Sequence, residues 1–309
     1  MQSAHVNVKI DLGRVRENVA SIAGRCGVDV IAVVKSDGYG LGAQRVAEAI
    51  GDLVAGFCVF SVKEAVAATL WEVGRKPTLS LGPSEDVDAG EMAAAGVRPA
   101  VWTVEEARRL RQARPVLCVD TGMQRFACPR ADVEAVISAG EIDEAFTHAT
   151  RIEHVELLRS IAGRTGLRLH AAASSLLDEP AARLDAVRPG LAIYRGAARV
   201  SGRLAEVRDS GRPAGYTGFI ADRFGVILCG YSQGLRRGPC VVNGSKQRVL
   251  EVGMQSAFVE LAPGDRRGDE VVFLGEGLTE AEVASAWECS EQQVLGILTN
   301  AGIRSYVSA

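Results

Sequence analysis

Lysine is scarce in this 309-residue chain, five residues against thirty arginines, and histidine numbers only four. With so few histidines and no i, i+4 pair among them, a catalytic zinc site is not expected. The seven cysteines form an odd, scattered set without Cys-x-x-Cys spacing. They suggest neither a disulfide framework nor a structural metal. Cys58, Cys118 and Cys229 lie inside apolar runs and read as buried thiols, as a reducing cytoplasm allows. No window holds 18 uninterrupted apolar residues, and Met1-Gln-Ser-Ala-His5 lacks the charged and apolar regions of an export signal. Neither a membrane span nor secretion is expected. The net charge of -3 provides no basic field for nucleic acid, and Arg236-Arg237 is too small a knot to change that.

What the chain does have is rhythm. After a helix predicted over 13–26, strands are expected near 28–34, 56–60, 78–81, 100–103, 116–120, 145–148, 167–171 and 186–194. Amphipathic helical stretches fall between them at 44–50, 63–73, 87–95, 105–112, 131–139, 153–163 and 176–184. Ser61-Val-Lys-Glu64 and Thr103-Val-Glu-Glu106 have capping-box form just after a strand. Eight strands separated by helices point to a (β/α)8 barrel of the TIM type at the compact end of the size range. An open doubly wound sheet is the alternative, weakened by the lack of a Gly-x-Gly-x-x-Gly turn. Near Ala198 the pattern changes to short β-type runs set apart by turns such as Asn243-Gly244 and Pro263-Gly-Asp265. Two capped helices, from Glu280 and from Glu291, and a last strand at 303–307 follow. The expected organisation is an N-terminal strand, 1–10, joining the second domain; a barrel, 11–198; and a smaller, mainly antiparallel β domain, 199–309.

Chemistry in such barrels sits at the C-terminal ends of the strands. The first strand ends in Lys35, backed by Ile31, Val33 and Val34 and followed by Gly38-Tyr39-Gly40. An amine partly desolvated there is a nucleophile toward carbonyls, whereas most strand-end lysines simply dissolve into solvent. The fifth strand ends in Asp120-Thr-Gly-Met-Gln-Arg125, the sixth in Thr147-His148 and the seventh in His170 ahead of Ser174-Ser175; the eighth carries Arg188-Pro-Gly190. The two serines Ser174 and Ser175, Tyr39 and the amides of Gly190 and Leu191 could cradle a phosphate, although Arg188-Pro-Gly alone reads as a plain turn. His148 could stack on a flat cofactor or be a satisfied barrel residue, and His170 reads as structural. Ser174 lacks nucleophile-elbow glycines, so a hydrolase is not supported. A Schiff-base lysine facing a phosphate cradle suggests pyridoxal 5'-phosphate.

Several blocks now line up: Val33-Val-Lys-Ser-Asp-Gly-Tyr-Gly40, Val119-Asp-Thr-Gly-Met-Gln-Arg125, Phe146-Thr-His148, His170-Ala-Ala-Ala-Ser-Ser175, Val187-Arg-Pro-Gly-Leu-Ala-Ile-Tyr194 and Gly230-Tyr-Ser-Gln-Gly234. In this order they resemble the alanine racemase family, fold-type III pyridoxal-phosphate enzymes, over nearly the whole chain. The resemblance implies that Lys35 holds the cofactor and serves as base on one substrate face. Tyr39, Ser174, Gly190 and Leu191 would bind the phosphate, His148 would pack near the ring, and Arg188 would face the pyridine nitrogen. Arg125 would sit by the phenolic oxygen and the substrate carboxylate, which Met254 would also approach. It further implies a homodimer whose second base is a partner-subunit tyrosine. Tyr216 in Pro213-Ala-Gly-Tyr-Thr-Gly218 is the candidate, and an ungapped alignment places Arg212 there instead.

The chain also departs from the family. Cys118 stands where many relatives carry a carboxylated lysine that orients the arginine here at 125, and Gln292 replaces a phosphate-binding tyrosine. Gly253-Met-Gln-Ser256 replaces the usual Cys-Met-Asp-Gln. Another fold-type III enzyme (a decarboxylase, an aldolase or a racemase of a different amino acid) and a degenerate cofactor-binding paralogue remain as alternatives.

Overall fold

The computed structural model describes residues 3–84 and 86–307. Strand β1 (Ser3–Asp11) leads into a helix, Leu12–Cys26, which buries Val15, Val19, Ile22 and Cys26 at helical spacing. Eight strands then close a parallel barrel: β2 (Asp29–Val33), β3 (Gly56–Val59), β4 (Thr78–Ser80), β5 (Val97–Val101), β6 (Val116–Cys118), β7 (Glu144–Ala149), β8 (Arg168–Ala172) and β9 (Ala186–Val187). Each pairs with the next, and the ring shuts where Asp29 and Val30 of β2 pair with Ala186 and Val187 of β9. The strands are short and almost wholly buried, as a barrel coated by helices requires. Phe57, Leu117 and Leu158 are fully buried, each worth about 1.5–3 kcal/mol of transfer free energy.

The expected TIM-type barrel is present, but three expected elements are corrected. The stretch 176–184 is no helix; it forms two 3-10 turns, Ser174–Leu176 and Pro180–Ala182. Pro180 supplies no amide and disfavours helical backbone at Glu179. The strand expected over 186–194 stops at Val187, because Pro189-Gly190 ends the pairing and Leu191–Tyr194 winds into a helical turn. The stretch 63–73 likewise breaks into a helix, Val62–Ala67, and a 3-10 turn, Leu70–Glu72, with Thr69 left-handed between them.

The second compact unit takes the chain through Arg14, residues 39–41 and everything from Tyr194 on. Its strands are β1, β10 (Ala198–Asp209), β11 (Pro213–Ala214), β12 (Phe219–Ile220), β13 (Arg223–Ile227), β14 (Gly238–Val242), β15 (Ser245–Val252), β16 (Ala257–Glu260), β17 (Glu270–Leu274) and β18 (Gly302–Val307). The sheet order is β13-β16-β15-β14-β17-β10-β1-β18, and β13 returns to pair with β10, so six strands form a ring. Every pairing is antiparallel except β1 with β18. Helices Glu280–Ala286 and Glu291–Leu298 carry the expected capping boxes, Thr279 with Glu282 and Ser290 with Gln293.

Candidate active site at the barrel mouth

Lys35 begins a turn of unusual backbone. Ser36, Asp37, Gly38 and Tyr39 all take left-handed φ values, 54, 54, 62 and 56°. Residues with a Cβ pay about 1–2 kcal/mol each for that conformation, so consecutive cases need bonds to hold them. The Gly38 amide donates to Val34 O (2.8 Å), the Gly42 amide to Asp37 O (2.8 Å) and the Ala43 amide to Asp37 Oδ1 (2.9 Å). From the next barrel unit, Glu64 Oε1 accepts from the Ser36 amide at 3.1 Å. The turn therefore stops β2 abruptly and leaves the half-buried Lys35 at its C-terminal end.

Arg188 follows β9 and is buried. Its amide donates to Ala172 O (2.8 Å), and the Val33 amide donates to Pro189 O (3.0 Å), so the ring closure itself positions the residue. The Arg188 side chain donates through Nη2 to Thr147 O (2.5 Å) and lies 4.6 Å above the Phe146 ring. Phe146 stacks in turn on His170, 5.4 Å away and 4° from parallel. Arg188 Nε has no hydrogen-bond partner among the described residues. Cys58 and Cys118 are close enough to act on the Arg188 charge, but burial pushes these thiols up to about 11 and about 12. Neutral thiols supply no counter-charge, and burial lowers the pKa of the guanidinium itself.

His148 projects from the end of β7 and is solvent-exposed, yet its pKa is about 4. The protein packed around it acts first, followed by the charges of Arg188, Arg125 and Lys35. It is thus a neutral imidazole at working pH. His170, fully buried, is also held near 4 by burial, against the pull of the Glu144 carboxylate. Arg125 is exposed in the loop after β6, whose Gly122 and Gln124 amides donate to Asp120 Oδ1 (2.8 and 3.1 Å).

Ser174 Oγ accepts from the Gly190 amide and from the Ala192 amide, both at 3.1 Å. Gly190 is therefore committed to Ser174, while the Leu191 amide between them has no acceptor among the described residues. A spare hydroxyl proton on Ser174, the Leu191 amide, the orphaned Arg188 Nε and the Lys35 amine suit an anionic aldehyde such as pyridoxal phosphate. Tyr39, four residues after Lys35, stacks on Tyr194 with ring centroids 4.9 Å apart. Gly40 beside it has φ 86°, and a Cβ there would stand 2.1 Å from Thr299 Oγ1, so only glycine fits. Among the described residues no His/Cys/Asp/Glu cluster could hold a metal, and no helix is long and apolar enough to cross a membrane.

In the β-domain unit, Tyr216 tips the hairpin of β11 and β12 with 89% of its surface exposed. Glu251 accepts from the Tyr216 and Thr217 amides (2.7 Å each) and from the Thr217 hydroxyl. Gly215, φ 68°, has no space for a Cβ against that carboxylate. The Tyr216 ring borders the turn at Gly253. A second tyrosine reaches the same turn: the Tyr231 amide donates to Gly253 O (2.9 Å), and Ser232 bonds Met254 O through its amide (3.0 Å) and its hydroxyl (2.7 Å). Tyr231 received no role from the sequence, although its signal was there, since it lies in the family-like block Gly230–Gly234. Met254 is 59% exposed. Arg212 precedes β11 and is exposed, and Gln292 lies in the first turn of the last helix.

A closed parallel barrel joined to this β unit is the fold of solved alanine racemases. The Pseudomonas aeruginosa biosynthetic enzyme superposes with a TM-score of 0.88, covering 99% of this chain and 100% of its own at 24% identity. A Bartonella henselae structure described with covalently bound pyridoxal phosphate gives 0.85 at 22% identity, covering 99% of this chain and 100% of its own. The family model for the alanine racemase N-terminal domain matches residues 10–198. The alanine racemase of Aeromonas hydrophila subsp. hydrophila is 30% identical over 355 aligned positions, which span 97% of this chain and 98% of the relative. The chain belongs to the alanine racemase family.

Proposed function

We propose that the protein is a pyridoxal-phosphate-dependent racemase of a small amino acid, alanine above others. It would work in the cytoplasm as a homodimer with composite sites. The observation that carries this reading is the gathering of Lys35, Arg125, Arg188 and the Ser174 cradle at one end of the barrel without a carboxylate paired to any of the three cations among the described residues. When bound, the cofactor withdraws electrons from the substrate Cα, so that its proton can leave and return.

In this reading residues 11–198 form the cofactor domain. Lys35 holds the cofactor and moves the Cα proton on one face. Ser174, Gly190, Leu191 and Tyr39 bind its phosphate, with Gly190 acting through Ser174. The neutral His148 packs against its ring. Arg188, which only donates, keeps the ring nitrogen from accepting a proton. Arg125 and Met254 receive the substrate carboxylate. Residues 199–309, with the strand 1–10, supply the second face through Tyr216 of the partner subunit. A second reading gives that proton to Tyr231. A proton-transfer group must be held to within fractions of an ångström; both tyrosine amides are bonded, to Gly253 and to Glu251, but Tyr231 is 57% exposed against 89% for Tyr216.

The reaction is tested with L-alanine in deuterated water. Deuterium at Cα together with D-alanine is expected, and release of carbon dioxide or an aldehyde overturns the racemase assignment in favour of another fold-type III reaction. Tyr216→Phe and Tyr231→Phe separate the two tyrosines, because the true acid/base loses roughly 10²–10⁴-fold in turnover and the other stays near wild type.

A further inference from the structure

Among the described residues the pattern Ser/Thr-x-x-Glu/Gln opens four helices, at Ser61, Thr103, Thr279 and Ser290. In three of them the acidic or amide side chain folds back on its own cap. Glu106 accepts from the Thr103 amide (3.2 Å), Glu282 from the Thr279 amide (3.0 Å) and Gln293 from the Ser290 amide (3.0 Å). The fourth behaves differently. Ser61 Oγ accepts from the Glu64 amide (3.3 Å), but the Glu64 carboxylate leaves the Ser61 amide alone. Its Oε2 takes the Phe60 amide (2.7 Å) and its Oε1 takes the Ser36 amide, 28 residues earlier in the chain. The expected capping box is therefore only half built, and the diverted half reaches the residue after Lys35.

That residue opens the left-handed run 36–39, which L side chains adopt as single residues and rarely in succession. A carboxylate that joins the start of this run to the end of β3 fixes where the preceding Cα, and hence the Lys35 amine, stands. We propose that Glu64 is a positioning residue for Lys35, trading its own helix cap for the aim of the amine. The inference rests on Lys35 as the cofactor lysine, so its test includes a measurement that does not.

Glu64→Ala, Glu64→Gln and the control Glu106→Ala would be made in the full chain. The first measurement is hydrogen exchange at the Ser36 amide. The second is the rate at which cofactor-stripped protein captures added pyridoxal phosphate at Lys35, trapped by borohydride and read by peptide mass. Glu64→Ala is expected to speed Ser36 exchange and slow capture by ~10-fold each, the size of one lost hydrogen bond. Glu64→Gln, which keeps an acceptor oxygen, should restore most of both, and Glu106→Ala should alter neither. Capture by Glu64→Ala at the wild-type rate, or slowed no more than by Glu106→Ala, overturns the positioning role. Wild-type protein that captures no cofactor at Lys35 overturns the underlying reading instead, whatever Ser36 exchange shows.

Discussion

The two ends of the barrel are built from similar residues and arranged oppositely. At the floor, Glu144 lies between Arg98, Arg168 (3.0 Å) and His170 (3.0 Å), while Asp143 binds Arg98 (2.5 Å) and Arg114 (2.6 Å), and Asp29 binds Arg168 (2.6 Å). Each floor charge has an opposite charge supplied by the protein. At the mouth, Lys35, Arg125 and Arg188 have no ion-pair partner among the described residues, and the buried Arg188 rests on a carbonyl and a phenyl face. A buried charge without a partner is costly, and a fold keeps one where a ligand completes it. Floor charges hold the barrel together; on the proposed function, mouth charges are kept for what binds.

The largest expected effect breaks the floor. Glu144→Ala leaves Arg98 and Arg168 facing each other with the carboxylate gone. Removing one partner of a buried pair costs about 3–5 kcal/mol; here about 2–4 is expected, because Arg168 is 34% exposed and partly screened. Thermal melting should show that loss, with turnover per folded molecule nearly unchanged. Arg188→Met is the opposite experiment. Turnover should fall roughly 10²–10³-fold, as when a preorganised donor is removed, while the melting temperature of the cofactor-free protein holds or rises. If both variants lose stability and turnover alike, the division between floor and mouth is wrong.

A smaller effect is set by pH. His170 and His148 have folded pKa values near 4 against about 6.5 unfolded, so the unfolded chain takes up their protons first as pH falls. Their stabilisation is complete above pH 6.5 and drains away between 6.5 and 4. For the fully buried His170 the loss by pH 4.5 is on the order of 2 kcal/mol. Burial works to raise the Glu144 carboxyl, but His170 and then Arg98 and Arg168 outweigh it and hold the pKa at about 2. Its stabilisation, present above the usual carboxylate range, is lost between about 4.5 and 2. Melting curves taken against pH should therefore decline in two stages. A His170→Asn variant should flatten the first stage, and a first stage of unchanged depth would refute this account.

Much of this was legible in the sequence for a simple reason. Buried parallel strands are written as local apolar runs, so the placement of Lys35, His148, Ser174 and Arg188 at or just after the ends of barrel strands could be read by position alone. The misread elements carried their own correction, since Pro180 and Pro189-Gly190 forbid the helix and the long strand expected around them. The diverted bond of Glu64 was not legible. The motif at Ser61 is indistinguishable from that at Thr103, and only the approach of Ser36 from the neighbouring β2 unit decides which amide the carboxylate takes. The cage of Glu251 around the Tyr216 tip and the convergence of Tyr231 on the Gly253 turn are likewise products of β pairing between distant strands, which no local pattern encodes.

The smallest expected effect concerns Cys118, at the end of β6, where the family resemblance would put an orienting carboxylated lysine. If that role survived here, residue 118 would need a negative charge directed at Arg125. Burial holds the thiol at about 12, so it carries none at any working pH. The loop bearing Arg125 is shaped instead by Asp120, through its bonds to the Gly122 and Gln124 amides. Cys118→Ala should therefore change kcat/KM by less than about threefold and lower stability by roughly 1 kcal/mol, the loss of one small buried group. Asp120→Ala should lower kcat/KM by ~10-fold, mainly through KM, as its loop and Arg125 lose their fixed position. Steady-state kinetics on the two variants rank these residues directly. A hundredfold loss in Cys118→Ala would mean that the mouth does contain a protein group directing Arg125, and the contrast with the self-paired floor would narrow accordingly.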